Sequence, residues 1–342
     1  MSQALSSPAS ATQAPSQALF PRLLGDIGGT NARFAWMDGP GAPLSHVQTY
    51  RCAEHATLGD AIQHYLAEQE QSRPAACALG IANPVTGDEV RMTNHHWAFS
   101  ITALRQQLEL QRLEVINDFT ALALSLPGLE GAALQDLGGI RPSPERLAHP
   151  RAPMALLGAG TGLGVSGLLP SPQGPLPLAG EGGHVTLSAM DDEESAVLAF
   201  LRGNFGHVSA ERALSGPGLL NLYGAAAQLM GQPADPQMQP EQILPRARAG
   251  DPLCQRAVDL FCRFLGSTAG NLALTLGATG GVYIGGGIAP RMLPELRASR
   301  FRERFEGKGR MKALLAPVPC FVIDSPTSPA LLGAARALDR AH

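Results

Sequence analysis

Two glycine-rich turns more than a hundred residues apart constrain this chain most. Gly25-Asp26-Ile27-Gly28-Gly29-Thr30-Asn31 follows an apolar run, and Gly158-Ala159-Gly160-Thr161-Gly162-Leu163-Gly164 follows Met154-Ala155-Leu156-Leu157. Each reads as a strand running into a turn almost free of side chains, where a phosphate can approach backbone N–H groups closely. Both turns carry a Thr hydroxyl and only the first carries an acid, Asp26. The pair points to nucleotide phosphates gripped from two sides.

Spacing separates this reading from its competitors. A dinucleotide-binding turn needs Gly-x-Gly-x-x-Gly, and counting from Gly158 and Gly160 puts Leu163 at the third position. A P-loop needs Gly-Lys followed by Ser or Thr, and Gly307-Lys308 is followed by Gly309. The His-Arg-Asp and Asp-Phe-Gly tripeptides of protein kinases do not occur.

The order of elements along the chain is mixed α/β. Arg22 to Met37 reads as a hairpin around the first turn, Val47 to Cys52 as a strand, and Leu58 to Glu68 as a helix with Ile62, Tyr65 and Leu66 on one face. Ala75 to Ile81 reads as a buried strand, and Ser100 caps a helix through Leu108. A strand from Leu113 to Ile116 ends at Asn117-Asp118, so that pair sits at a strand's carboxyl end, where α/β sheets place ligands. A Pro/Gly-rich region near 127–153 precedes the second turn, which opens a new sheet and a second domain. That domain holds an acidic helix from Asp191 to Leu201, a Pro/Gln linker at 232–240, and a long helix from Pro252 to Leu276 closed by Gly277. A strand from Gly281 to Ile284 runs into Gly285-Gly286-Gly287, and a last helix starts at Ser328-Pro329.

Composition sets limits. The 342 residues suffice for two domains, and 44% hydrophobic with 16% charged residues supports sizeable packed cores. A net charge of −3 gives no reason to expect nucleic acid or an acidic membrane surface as partner. The five cysteines show no Cys-x-x-Cys spacing, so they read as buried reduced thiols rather than as a zinc or redox site. Residues 1–20, rich in Ala, Ser, Gln and Pro, read as a disordered tail rather than a signal peptide, and a cytoplasmic location is expected.

Several side chains can carry proton transfer or bind hydroxyls. Asp118 is a candidate general base for a hydroxyl, though a strand-end Asp can also serve only as a helix N-cap. Glu181 and His184, set among Gly180, Gly182 and Gly183, together with Glu211, offer carboxylates and an imidazole to a ring of hydroxyls. The plainer alternatives are a Glu211–Arg212 surface pair and a hydrogen-bonded core histidine at 184. Asn94, in Thr93-Asn94-His95, reads plainly as a turn residue, and the glycines 285–287 as a strand-to-helix turn. His95 and His96 look like metal ligands, but neighbours on an extended segment point apart.

Taken together, the chain resembles the bacterial glucokinases of the actin/hexokinase/Hsp70 ATPase superfold. The matching stretches are Gly25 to Arg33, Met92 to His95 with Trp97 to Ser100, Ile116 to Ala121, Gly158 to Gly164, Gly180 to Val185, Gly206 to Arg212, Leu214 to Tyr223 and Gly280 to Ile288, all in family order. The resemblance implies a two-lobed α/β, ribonuclease H-like fold with a ligand cleft between the lobes. The expected small domain takes residues 21–127 plus 328–342, and the large domain 128–327. It implies an ATP-dependent, glycolytic glucokinase making glucose 6-phosphate, with Asp118 as base, and a homodimer. Glu181 and His184 would bind the 1- to 3-hydroxyl side, Glu211 the anomeric hydroxyl, Asn117 with Asp118 the 3-, 4- and 6-hydroxyls, and Asn94 would lie near the sugar. Gly25, Asp26, Ile27, Gly28, Gly29, Thr30 and Asn31 would approach the β/γ-phosphates, with Asp26 acting through Mg²⁺ and its water shell. Gly160, Thr161 and Gly162 would hold phosphates from the other lobe, and Gly285, Gly286 and Gly287 would leave a flat space for adenosine. Related sugar kinases carry a Cys-rich zinc motif after Gly-Gly-His; Val185-Thr186-Leu187-Ser188 contains none, so zinc is not expected. The alternatives are a kinase for fructose, mannose or an N-acyl hexosamine, and a sugar-sensing regulator without catalysis.

Overall fold

The computed structural model describes residues 19–93 and 95–340. Asn94 and most of the tail at 1–20 therefore lie outside the described residues. The chain divides into two compact units, one of residues up to 116 with 171–175 and 334–342, the other of 117–170 with 176–333.

The first unit is built on a sheet of order β3-β2-β1-β4-β7. Its strands are β1 (Arg22–Ile27), β2 (Asn31–Met37), β3 (Ser45–Arg51), β4 (Ala76–Ile81) and β7 (Arg112–Asn117), with a separate ribbon of β5 (Glu89–Arg91) and β6 (Ala98–Ser100). β1 runs antiparallel to β2 and parallel to β4. β4 is buried along its whole length, as expected of a central parallel strand covered on both faces. Leu23, Phe34, Trp36, Tyr65, Leu79 and Trp97 belong to one core between the sheet and the helix Leu58–Glu68. That helix opens on a capping box, in which Thr57 accepts from the Asp60 N–H and the Asp60 carboxylate accepts from the Thr57 N–H. The chain's end is fastened to this unit by Arg22, which is 1% exposed and donates to the Ala335 carbonyl at 3.1 Å and to Asp339 at 2.7 Å.

The second unit repeats that plan. β8 (Leu134–Asp136), β9 (Met154–Ala159), β10 (Leu163–Leu169), β11 (Leu176–Gly180), β12 (Val282–Gly285) and β13 (Cys320–Ile323) form a sheet of order β11-β10-β9-β12-β13-β8. β9 is antiparallel to β10 and parallel to β12, so β9, β10, β11, β12 and β13 stand where β1, β2, β3, β4 and β7 stand in the first sheet. This is the ribonuclease H-like arrangement, used twice. The two glycine turns occupy the same place in each, the first hairpin, between β1 and β2 and between β9 and β10. A separate core packs the buried helix Pro252–Leu276 among its neighbours. Gly277 ends that helix in the left-handed conformation at φ 61°, as a C-terminal glycine should.

All five cysteines are buried and free. Burial pushes the Cys262 and Cys320 thiols up to about 12, which keeps them protonated at neutral pH.

Candidate active site

In the first unit the turn after β1 is drawn tight by the Gly28 N–H donating to the Asn31 carbonyl at 2.9 Å. Cys52 ties the turn down, its N–H donating to the Thr30 carbonyl at 2.9 Å. Thr30 is exposed, and Gly28 and Gly29 are half-buried. Gly25 is required by packing instead, since a Cβ there would lie 2.5 Å from the Leu79 side chain. Asp26 faces Arg33 across the β1–β2 pair and accepts from its Nη1 at 3.2 Å. Arg33 is 43% exposed and Asp26 14%, so the arginine end of this ion pair is solvated while the carboxylate is largely covered.

In the second unit Asn117 and Asp118 start the helix Asp118–Ser125. Asn117 is the N-cap, its Oδ1 accepting from the Phe119 and Thr120 N–H groups at 2.9 and 3.2 Å. Asp118 sits one residue further on, at the first helical position, half-buried, with Oδ1 also accepting from the Phe119 N–H at 2.9 Å. The capping role open to Asp118 in the sequence thus falls to its neighbour. The Phe119 ring seats this helix on the second glycine turn: a Cβ at Gly158 would lie 2.9 Å from the ring, and one at Gly164 2.0 Å from it. Gly333, in the helix Pro329–Ala337, meets the same segment, where a Cβ would fall 1.6 Å from the Ala121 carbonyl oxygen. Gly164→Ala is therefore expected to push the ring away and lower kcat about a hundred-fold while melting stays cooperative, because small misplacement of reacting groups is costly. Steady-state kinetics beside a thermal melt checks this.

The other sugar candidates surround the same turn. Glu181, Gly182, Gly183 and His184 form a short turn after β11, with Glu181 and His184 exposed. Gly183 lets this turn lie on β10, since a Cβ there would fall 2.0 Å from the Leu163 carbonyl oxygen. The exposure of His184 removes the core-histidine alternative. The adjoining segment is paired through the Thr186–Ser209 bridge and the Ala210 N–H to the Val185 carbonyl at 2.9 Å. This brings Glu211 alongside. Its Oε2 accepts from the Leu163 N–H at 2.8 Å, so Glu211 is turned inward, while Arg212 lies over the Phe205 ring at 4.3 Å. The alternative of a Glu211–Arg212 surface pair is not what forms.

Gly285-Gly286-Gly287 packs against the same strand end. Gly286, at φ 79°, would place a Cβ 2.3 Å from the Ala159 carbonyl oxygen, whereas a Cβ at Gly160, Gly180 or Gly287 would meet nothing within 4 Å. Packing therefore does not explain those three glycines, and Thr161 beside Gly160 is exposed. One expectation needs correction: His95 and His96 do not point apart, because the chain bends at both, and their rings lie 4.1 Å apart. Among the described residues no group of three or more His, Cys, Asp or Glu is placed to hold a metal. Sequence reasoning missed Phe119 and the Leu163 N–H as parts of the site. Phe119 stood next to Asp118 and carried a signal; a backbone donor carries none.

The duplicated sheet, with turns at the carboxyl ends of β1, β7, β9 and β12, is the fold of sugar kinases of the actin and hexokinase type. A family model described as Glucokinase matches residues 23–341. The glucokinase of Aromatoleum aromaticum is 54% identical over 324 residues, covering 94% of this chain and 96% of that protein. That of Cupriavidus metallidurans is 50% identical over 321 residues, 93% of each. The solved glucokinase from an Antarctic psychrotroph has a TM-score of 0.84 at 37% identity, covering 93% of this chain and 98% of that one. The chain belongs to the glucokinase family.

Proposed function

We infer that the chain transfers the γ-phosphoryl group of ATP to the 6-hydroxyl of D-glucose, giving glucose 6-phosphate and ADP. The observation that carries this reading is the gathering of Asn117, Asp118, Glu181, His184 and Glu211 around one glycine turn, residues 158–164, within one unit. Phosphoryl transfer asks little covalent chemistry of a protein; positioning and charge stabilisation carry most of it. Asp118 takes the proton of the 6-hydroxyl as that oxygen attacks. Asn117, with its Oδ1 accepting from the helix N–H groups, binds the sugar at the start of this helix. Glu181 and His184 bind the 1- to 3-hydroxyl side of the ring and Glu211 the anomeric hydroxyl. The residues 25–31 and 160–162 hold the phosphates, and 285–287 the adenosine.

Asp26 fits Mg²⁺, being a single carboxylate beside an open turn with only a surface arginine to displace. Bound there with ATP, Mg²⁺ would neutralise charge on the phosphate oxygens. The same reading takes a cytoplasmic homodimer serving glycolysis, without zinc, nucleic-acid or membrane partner. Family resemblance supports it, and among the described residues no helix is long and apolar enough to cross a membrane.

Phosphorylation of glucose, mannose, fructose, N-acetylglucosamine and N-acetylmannosamine with Mg-ATP tests the reading. Glucose is expected to lead in kcat/KM by a wide margin, because a site built to bond a given hydroxyl strongly rejects a sugar that leaves the bond unmade. A different leading sugar would overturn the assignment of glucose. Glucose binding with no turnover of any sugar would turn the protein into a sensor.

A further inference from the structure

We propose that Glu211 is a positioning residue for the nucleotide as well as a sugar ligand: its carboxylate holds the turn at residues 160–163 in the shape that receives phosphates, and so couples the two subsites. The inference rests on the kinase reading and deepens it. Glu211 Oε2 accepts from the Leu163 N–H at 2.8 Å, a charge-assisted bond to the turn's own backbone. The segment carrying Glu211 grips the turn a second time, the Gly216 N–H donating to the Gly160 carbonyl at 2.8 Å. Within Glu211's own loop, the Ser215 hydroxyl donates to the Glu211 carbonyl at 2.9 Å, which fixes the side chain's base. A Cβ at Gly162, between the two anchored residues, would lie 2.5 Å from the same Oε2 and push the carboxylate off the Leu163 N–H. The turn has one backbone bond of its own, the Gly160 N–H donating to the Gly162 carbonyl at 2.8 Å, and Thr161 is exposed, so its other fixed points are those that the Glu211 segment supplies.

A carboxylate has two oxygens. With Oε2 bound to Leu163, Oε1 remains the oxygen with which Glu211 meets a sugar hydroxyl. A sugar that orders this side chain orders the turn with it, and coupling between two ligands is reciprocal, so nucleotide must tighten sugar by the same factor.

Isothermal titration of sugar-free enzyme with a non-hydrolysable ATP analogue and Mg²⁺ tests the proposal without any turnover. Glu211→Ala is expected to bind the analogue about ten-fold more weakly than wild type, the scale of one lost bond to a charged group. Glu211→Gln, whose amide oxygen still accepts from Leu163, is expected to stay within about three-fold, and Gly162→Ala to behave like Glu211→Ala. Adding glucose is expected to tighten the analogue in wild type and not in Glu211→Ala. Equal sugar-free affinity in wild type and Glu211→Ala, in an enzyme that phosphorylates glucose, overturns the proposal and leaves the kinase reading standing. No analogue binding by wild type overturns both. A melt of each variant shows whether the fold survives, and if Glu211→Ala unfolds, Gly162→Ala decides the matter.

Discussion

Asp118→Asn is expected to lower kcat by a factor of about 10² to 10⁴, the span that a positioned general base contributes, while glucose affinity stays within a few-fold. The amide keeps the shape and the hydrogen bonds of the carboxylate but cannot accept the proton. The local structure makes this substitution clean. Asn117 caps the helix, so Asp118 is not needed to start it, and Phe119 keeps the segment seated on Gly158 and Gly164. Because the lost interaction belongs to the transition state, kcat and kcat/KM should fall together. Calorimetric glucose binding beside a coupled assay measures both, and retained turnover removes Asp118 from the role of base.

Arg263→Ala is expected to destabilise the second unit by about 3 to 5 kcal/mol, the usual cost of stranding buried charge. Arg263 is 2% exposed in the middle of the helix Pro252–Leu276. It donates to Asp191 at 2.6 Å, Glu193 at 2.7 Å and Glu194 at 3.1 Å, the last fully buried. Asp191, Glu193 and Glu194, at the start of the helix Asp192–Phe205, thus belong to an internal network that also includes Arg304, while Asp192 is exposed. Burial pushes the Asp191 and Glu193 carboxyls up, but the N–H of Glu194 for the first, and arginine partners for both, outweigh it, so both end below the ordinary range. A depressed carboxyl stabilises the fold above its unfolded value near 4 and loses that contribution as pH falls through the folded value. Urea unfolding should therefore show the wild-type advantage over Arg263→Ala in full at pH 7 and reduced below about pH 4. A gap unchanged by pH would mean that packing of the arginine stem, and not its charge, carries the effect.

The elements most legible in the sequence were those with both a period and a cap. Leu58–Glu68 showed one apolar face and Pro252–Leu276 a Pro start and Gly end, and both stand at the expected bounds. The helix Gly216–Leu229 was hidden by its Gly-Pro-Gly start, which argues against a helix until packing is known: a Cβ at Gly218 would lie 2.5 Å from the Ala213 carbonyl carbon. β8 was hidden because a three-residue edge strand in a Pro/Gly-rich stretch has too few side chains to show a period. The duplication of the sheet showed in the sequence only as the paired glycine turns, since beyond them the halves share strand order and not residues. In the site, the glycine turns were visible because phosphate-suited turns need glycine at fixed places. Asp118 had two readings in the sequence, and that Asn117 and not Asp118 is the N-cap could be read only from the structure. Glu211's hold on the Leu163 N–H was invisible, because it joins residues far apart in sequence through a backbone group.

The most direct test of the account is a phosphorus NMR spectrum of the wild-type protein incubated with Mg-ATP and glucose. Equal gains of ADP and glucose 6-phosphate, with no inorganic phosphate, are expected. ATP consumed to ADP and inorganic phosphate without a sugar ester, or no consumption while glucose binds, would contradict it.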